Sequence, residues 1–446
     1  MKKNTDLIAH HLLWRGLYFF SVLLINIGIA RFFAADKSGQ IFYIVNNLSL
    51  ILLLVSISLE SGAAYYIASG KLEASAMARF CLIWTAGASG IALTGWWIVG
   101  MISHSTYFAW PDFVLSSFLF IAGVLLTTYF TAIFYALKEF GIPNKILCAV
   151  NALLIFLLIT GRNNPFIRDH FLGIYFSSFF LQGILLGIFF FRKHDGQFIS
   201  PFPSGAIMKN VFRYSLTALL ANGLYFLVNR ADYWFVQYYC SANDLGNYIQ
   251  ASKLGQMLLI LPSILGSTLF PIFSSGLKTG NTPDLTAVIR ILLWINGAIC
   301  LLFLCLGWYV FPRVFGSSFS NLYLLFVLLI PGILSFTMNY PLAAWFSANN
   351  RMGINIRGSI LTLAVVCTGD FLILPKTGVL FAPIISSTGY FCFYCYTVYM
   401  YRKSYPVPWN EFFLIRKSDL GRISRLTGKK ILEPPAIFPM GTNKNI

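Results

Sequence analysis

The fold is decided by stretches such as residues 12–34, LLWRGLYFFSVLLINIGIARFFA, which carry only two charged side chains. About 20 consecutive apolar residues cross the hydrocarbon core of a bilayer as a helix. Two lysines precede this stretch, as in a signal peptide, but it is longer than the apolar core of a signal peptide, and similar segments follow. We therefore predict that it is the first membrane-spanning helix.

Apolar segments of this kind recur along the whole chain of 446 residues, which is 57% hydrophobic and 11% charged. Because a soluble domain carries about 25% charged residues, the composition excludes an ordinary globular protein. The predicted fold class is an all-α polytopic membrane protein. Its twelve predicted spans are residues 12–34, 40–68, 80–100, 113–137, 146–160, 171–191, 211–240, 246–272, 288–311, 321–346, 355–373 and 377–401.

The net charge of +17 comes from basic residues near the ends of these spans. With a cytoplasmic N-terminus, 23 of the 32 basic residues fall in inside segments and five in outside loops. Cytoplasmic loops are the ones enriched in Lys and Arg, so both termini are predicted to be cytoplasmic. No basic face is available for nucleic acid, and no nucleic-acid partner is predicted.

An internal repeat divides the chain. Gly39 opens the second span and Gly246 opens the eighth, 207 residues later. Because six spans is an even number, the halves are predicted to be parallel repeats, as in some transporters. The predicted domains are a six-helix lobe over 1–200, a second over 201–401, and a basic cytoplasmic tail over 402–446. The tail either lies on the anionic leaflet or is solvated.

Motifs of catalysis are missing from the sequence. It contains no nucleotide-binding P-loop and no HExxH or GxSxG motif, so we predict that the protein is not an enzyme and needs no cofactor. Cys392 and Cys395 have zinc-like spacing, but they have no second pair or nearby His. We interpret them as packing thiols and predict no metal site.

Polar residues inside the spans are the candidate functional residues, because they are costly in a membrane. In the seventh span, polar side chains recur at helical intervals at Ser215, Asn222, Tyr225, Asn229 and Asp232. This face lines a water-filled cavity, or Arg230 and Asp232 form a structural ion pair. Lys253, two turns into the eighth span, pairs with Asp232 or binds an anionic substrate.

The first two spans also carry ionisable residues. Glu60 is either a proton or cation site or the partner of an arginine such as Arg15 or Arg79. Arg15 and Asn26 share one face, and Arg31 lies opposite them unless the helix bends, with Gly28 as the candidate bend. Arg15 alternatively reaches the cytoplasmic headgroups.

The order of several short motifs resembles a known family. The chain has an intramembrane Asp232, then Leu245-Gly246-Asn247-Tyr248, Lys253-Leu254 and Leu269-Phe270-Pro271, with agreement also at Gly62–Tyr66 and Phe315–Phe319. Their order and spacing resemble the Wzx-type polysaccharide flippases of the multidrug/oligosaccharidyl-lipid/polysaccharide exporter superfamily. The resemblance implies a MATE-like fold, with two six-helix lobes around a central cavity, in the bacterial inner membrane.

The resemblance also implies a substrate and partners. The substrate is an undecaprenyl-diphosphate-linked repeat unit for O-antigen, capsule or exopolysaccharide, and the partners are membrane lipids, a polymerase and chain-length proteins. The predicted substrate-binding residues are Arg15, Asn26, Arg31, Asn222, Asn229, Arg230, Asp232 and Lys253; Glu60 and Asp232 are the ion-coupling candidates.

Two alternative functions stay open. A cation-coupled drug or metabolite exporter on the same fold is one alternative. A membrane-embedded glycosyltransferase is another, but its catalytic loop is missing apart from the short loop 162–168.

Overall fold

A computed structural model describes residues 2–103, 113–161, 164–194, 202–279 and 284–414. These residues form helices and connecting turns, as expected in lipid, where a backbone must satisfy its own hydrogen bonds. In chain order the helices are α1 Lys2–Ser56, α2 Leu59–Ala68, α3 Ala74–Ser103, α4 Phe113–Ala136, α5 Gly141–Thr160, α6 Pro165–Asp169, α7 Phe171–Lys193, α8 Gly205–Arg230, α9 Asp232–Tyr239, α10 Ala242–Leu258, α11 Ile260–Thr279, α12 Leu285–Phe315, α13 Leu322–Ala348, α14 Met352–Thr377 and α15 Phe381–Ser404.

Ten helical segments in the described part of the chain are long and apolar enough to cross a membrane. The first, Leu13–Ser56, has 44 residues, about 66 Å of helix, and it is interrupted at Ala34, so it accounts for two of the predicted spans. Helix α15 has 24 residues and is long enough, although its many tyrosine and hydroxyl side chains make it more polar. The predicted class, an all-helical multi-pass membrane protein, is confirmed.

Three predicted spans are interrupted rather than continuous. The second is broken between α1 and α2, the seventh at Ala231, and the eighth at Leu259. Ile57 and Ser58 have φ angles of 51° and 50°, in the left-handed region that a β-branched residue rarely adopts. Broken helices in membranes expose backbone groups, which need partners from neighbouring helices.

By packing, the chain forms two compact units. The first comprises residues 1–250, 308–323 and 370–379, and within it α4 packs on α7, α1 on α5, and α2 on both α4 and α8. The second comprises residues 251–307, 324–369 and 380–446. Its core contains Phe273, Leu342, Trp345 and Tyr394, all buried. The division into lobes at residues 200 and 201 remains a prediction.

The segment after α15 folds back onto the second unit, which neither interpretation of the tail predicted. Phe412, in the short 3₁₀ helix Trp409–Phe412, is fully buried in the core of that unit. Arg290 is 1% exposed, and its Nη1 donates to the Glu411 carbonyl oxygen at 2.5 Å and to Oε2 at 3.3 Å. Residues 405–414 are therefore part of the packed protein, while the basic residues from Arg416 onward lie outside the described part.

The Arg290→Leu variant is expected to destabilise the purified protein by about 3 kcal/mol, because it leaves the partly buried Glu411 carboxylate without its cation. Thermal unfolding in detergent measures the effect. Arg357→Leu, an exposed arginine of the same unit, is the matched control and is expected to change stability by less than about 0.5 kcal/mol. Equal unfolding temperatures of the two variants would show that the folded-back segment contributes nothing to the stability of the protein.

Candidate functional site

The break in α1 is the first element of the candidate site. Ala34 has φ 62° and ψ −177°, a strained conformation for a residue with a side chain. The hydroxyl of Ser38 donates to the Ala34 carbonyl oxygen at 2.5 Å. The Ala35 backbone N–H donates to Ser318 Oγ at 3.1 Å. Neighbouring side chains thus satisfy the backbone groups that the break exposes.

Helix α10 crosses α1 directly after this break. A Cβ built on Gly246 would overlap the carbonyl oxygen of Ala35, and one built on Gly39 would lie 2.6 Å from the Gly246 Cα. Only glycine allows two backbones to approach this closely. Gly39 and Gly246 are the two positions that the internal repeat relates.

The loop before α13 reinforces this crossing. Besides accepting from Ala35, Ser318 offers its carbonyl oxygen to Asn247 Nδ2 at 3.2 Å and to Asn243 Nδ2 at 3.5 Å. One residue therefore ties α1 to α10. Ser318 belongs to the Phe315–Phe319 motif of the sequence, but the motif alone did not indicate this role.

A second set of polar contacts surrounds the break between α1 and α2. Trp84 Nε1 donates to the Val55 carbonyl oxygen at 3.1 Å, and the Tyr129 hydroxyl donates to the Ser56 carbonyl oxygen at 3.4 Å. Asn222 Nδ2 donates to Ser58 Oγ at 3.1 Å. The predicted substrate residue Asn222 is therefore held at a helix break, and its position depends on Ser58.

Glu60 lies in the first turn of α2, next to the same break. Its Oε2 is buried and, within the described residues, no hydrogen-bond donor contacts it. The guanidinium of Arg15 lies 5.6 Å from the Tyr135 ring centroid, and that of Arg79 lies 5.8 Å from the Phe202 ring centroid. The role of Glu60 as a proton or cation site stays a prediction.

A pair of buried carboxylates forms the third part of the site, within the first unit. Asp232, at the start of α9, is 2% exposed, and its Oδ2 accepts a hydrogen bond from the Tyr248 hydroxyl. Asp370 of α14 is fully buried and interacts electrostatically with Asp232. Neither side-chain oxygen of Asp370 has a hydrogen-bond partner among the described residues. A buried carboxylate such as that of Asp370 favours binding of a proton or a cation.

Sequence reasoning missed Asp370. A signal was present, because a carboxylate inside the predicted span 355–373 is as unusual as Glu60 in the second span. Tyr248 was noted only as part of the Leu-Gly-x-Tyr motif. The structure gives it a specific role, since its hydroxyl binds Asp232.

Helix α1 is uninterrupted from Arg15 to Arg31, so Arg31 lies on the face opposite Arg15 and Asn26. Arg15 and Arg31 are sixteen residues apart, about 24 Å along a helix whose interruption comes only at Ala34. The expected bend at Gly28 is wrong. A Cβ there would lie 2.9 Å from Leu158 Cδ1, so Gly28 serves close packing of α1 on α5.

Two further predicted residues, Asn26 and Asn229, each donate a hydrogen bond to the backbone of their own helix. Asn26 Nδ2 donates to the Val22 carbonyl oxygen at 2.9 Å, and Asn229 Nδ2 donates to the Tyr225 carbonyl oxygen at 2.7 Å. Both asparagines are buried. These bonds satisfy the side chains within the helix, as expected where water is excluded.

The remaining cations are half-buried. The guanidinium of Arg230 lies 5.2 Å from the Phe226 ring centroid, a cation–π geometry. Lys253 is half-buried in α10. Lys253 belongs to the second unit, whereas Arg230 and the carboxylate pair belong to the first.

Comparison with known proteins supports the sequence resemblance. Residues 178–321 match a family model described as polysaccharide biosynthesis protein. A protein of the Lsg locus of Haemophilus influenzae is 23% identical over 252 residues, which cover 56% of this chain. The chain spans 61% of the length of that relative. The matched segment contains the Asp232, Leu245–Tyr248 and Lys253–Leu254 motifs that carry the sequence resemblance.

Two solved structures share the fold. The lipid II flippase MurJ in an inward closed conformation gives a TM-score of 0.68 at 12% identity, covering 94% of this chain and 93% of the other. An inward-facing multidrug resistance MATE family transporter gives a TM-score of 0.66 at 12% identity, covering 87% and 94%. The MATE-like fold is confirmed, and the proteins that share it are transporters and flippases.

Proposed function

We propose that the protein is a flippase that moves undecaprenyl-diphosphate-linked oligosaccharide repeat units across the bacterial inner membrane for surface polysaccharide synthesis, with both termini in the cytoplasm. The observation that carries the proposal is the match of residues 178–321 to a polysaccharide biosynthesis family within a MATE-like fold. The matched segment includes the interrupted helices α8 to α10 and the candidate residues Arg230, Asp232 and Lys253.

The chemistry of the site supports an anionic, polar substrate. A diphosphate binds guanidinium and ammonium groups through charge-assisted hydrogen bonds. We assign Arg15, Arg31, Arg230 and Lys253 as its candidate cations, and Asn222 as a contact for the sugar hydroxyls. Arg15 and Arg31 lie about 24 Å apart along α1, so they cannot contact one diphosphate at the same time. Asn26 and Asn229 already bond to their own helices, so we assign them to positioning of α1 and α8.

Deletion of the gene in its native host tests this function. The deletant is expected to lose its surface polysaccharide and to accumulate lipid-linked repeat units on the inner leaflet, measured by their accessibility to a sugar-modifying enzyme added to spheroplasts and to inverted vesicles. Plasmid expression of the wild-type chain restores export. A deletant with normal surface glycan would contradict the proposal.

Arg230→Gln and Lys253→Gln are each expected to reduce complementation about tenfold or more, because a charge-assisted hydrogen bond contributes about 1.5–3 kcal/mol. The protein level in the membrane is expected to stay normal, because both side chains are only half-buried. Arg313→Gln, an exposed arginine, is the control and is expected to complement fully. Full complementation by both test variants would refute the assignment of these cations to the substrate.

The buried carboxylates support a second candidate function, a cation-coupled exporter of drugs or metabolites. Glu60, Asp232 and Asp370 offer the negative charge that cationic drugs require. Expression of this chain in a drug-sensitive host separates the two functions. The flippase proposal expects no change in tolerance to cationic dyes, whereas an exporter raises it.

A further inference from the structure

A groove of about 440 Å³ lies within the first unit between α3, α4 and α7, and its lining contains none of the polar residues of the candidate site. Its lining is apolar at Leu82, Phe130, Gly183 and Ile188, and it ends at Arg192. A concave apolar channel with one cation at its end suits a chain-like amphiphile with an anionic head.

The two glycines make the groove deep. A Cβ on Gly183 would lie 2.6 Å from Leu126 Cβ, and one on Gly187 would lie 3.3 Å from the Phe130 ring. Helix α7 therefore approaches α4 closely, and the partly exposed side chains of Leu82 and Ile188 stand above this floor as walls. The structure therefore forms a channel along this close contact of α7 with α4.

The length of the groove matches one leaflet. Gly183 and Arg192 are nine residues apart on α7, about 14 Å of helix. The hydrocarbon core of a bilayer is about 30 Å thick, so the groove is about as long as the hydrocarbon layer of one leaflet. In the predicted orientation, which rests on the proposed topology, Arg192 lies in the cytoplasmic headgroup layer.

Charge at the end of the groove selects the headgroup. Lys193 Nζ lies 2.8 Å from Glu139 Oε1, and His194 Nε2 lies 3.4 Å from Glu139 Oε2. Glu139 thus engages these two neighbours, while Arg192 is exposed and has no ion pair in the described part of the chain. A guanidinium binds a phosphate through two parallel hydrogen bonds.

We propose that this groove binds one acyl chain of a phosphatidylglycerol from the cytoplasmic leaflet, with the phosphate on Arg192. A zwitterionic lipid would bring an ammonium group to the same basic end of α7, so the anionic lipid is favoured. A polyprenyl chain is much longer than one leaflet, and its diphosphate calls for more than a single arginine. The bound lipid fills the channel between α3, α4 and α7 and stabilises their packing.

Native mass spectrometry of the purified full chain tests the proposal, with palmitoyl-oleoyl phosphatidylglycerol and the matching phosphatidylethanolamine as probes. Leu82→Trp fills the groove and Arg192→Gln removes its cation. Each is expected to weaken phosphatidylglycerol binding about tenfold or more. The controls Ile83→Trp, one residue along α3 and 60% exposed, and Lys209→Gln are expected to bind like the wild type.

Equal binding of both phospholipids by the wild-type chain, or unchanged binding by the two test variants, would overturn the proposal. Displacement of phosphatidylglycerol by equimolar undecaprenyl diphosphate in the wild type, but not in Leu82→Trp, would assign the groove to the substrate instead. Ile188→Trp, on the opposite wall, replaces Leu82→Trp if the latter does not fold. Because the assay measures binding alone, its failure leaves the proposed flippase activity standing.

Discussion

The Gly246→Ala variant is expected to lose tenfold or more of its export activity and to be less stable than the wild type by about 3 kcal/mol. The added Cβ overlaps the carbonyl oxygen of Ala35, which is backbone and has no rotamer to change. Helices α1 and α10 must then separate, and the bonds that Ser318 makes to Ala35 and Asn247 lengthen or break. Complementation of the deletant and thermal unfolding in detergent measure the two effects.

Gly223→Ala is the matched control for this prediction. It makes the same change in α8, where the new Cβ would meet only Leu53 Cδ2 at 4.0 Å. Replacing a helical glycine by alanine without a clash is expected to be neutral or to stabilise by up to about 1 kcal/mol. If Gly246→Ala matches this control in both assays, the close crossing of α1 and α10 is not required by the native protein.

Hydrophobicity predicted the helices of this protein well, because lipid leaves the backbone few alternatives. It did not predict where they break. The bend expected at Gly28 occurs at Ala34, and the second span breaks at Ile57, a β-branched residue in the left-handed region. Partners distant in sequence, such as Ser318, Trp84 and Tyr129, satisfy the backbone at these breaks. No local pattern encodes such partners.

The sequence predicted which residues of the candidate site are ionisable, but not what they contact. A charge within an apolar run identifies an ionisable residue, and Glu60 and Asp232 were found in this way. What such a residue contacts depends on tertiary packing. The sequence offered Arg230 and Lys253 as partners of Asp232, whereas the structure adds the hydroxyl of Tyr248 and the carboxyl of Asp370. The sequence repeat did indicate the pair Gly39 and Gly246, but not that they touch.

The Asp370→Asn variant is expected to reduce export about tenfold or more while leaving the protein folded. The amide has nearly the same shape as the carboxyl but cannot carry its negative charge. Asp370 and Asp232 are both buried in the first unit, and burial of a carboxylate favours its uptake of a cation or proton. We propose that this uptake couples an ion gradient to transport. The Asn variant is therefore expected to lose stimulation of export by a sodium or proton gradient.

Comparison with other carboxylate variants and an unfolding measurement test whether Asp370 is the coupling site. Asp232→Asn is expected to behave like Asp370→Asn, and Asp169→Asn, an exposed aspartate of α6, is expected to export normally. Sodium ions or low pH, whichever drives export, are expected to raise the unfolding temperature of the wild type but not of Asp370→Asn, because a ligand stabilises only a chain that binds it. Gradient-driven export that survives in Asp370→Asn and disappears in Glu60→Gln would place the coupling site at α2 instead.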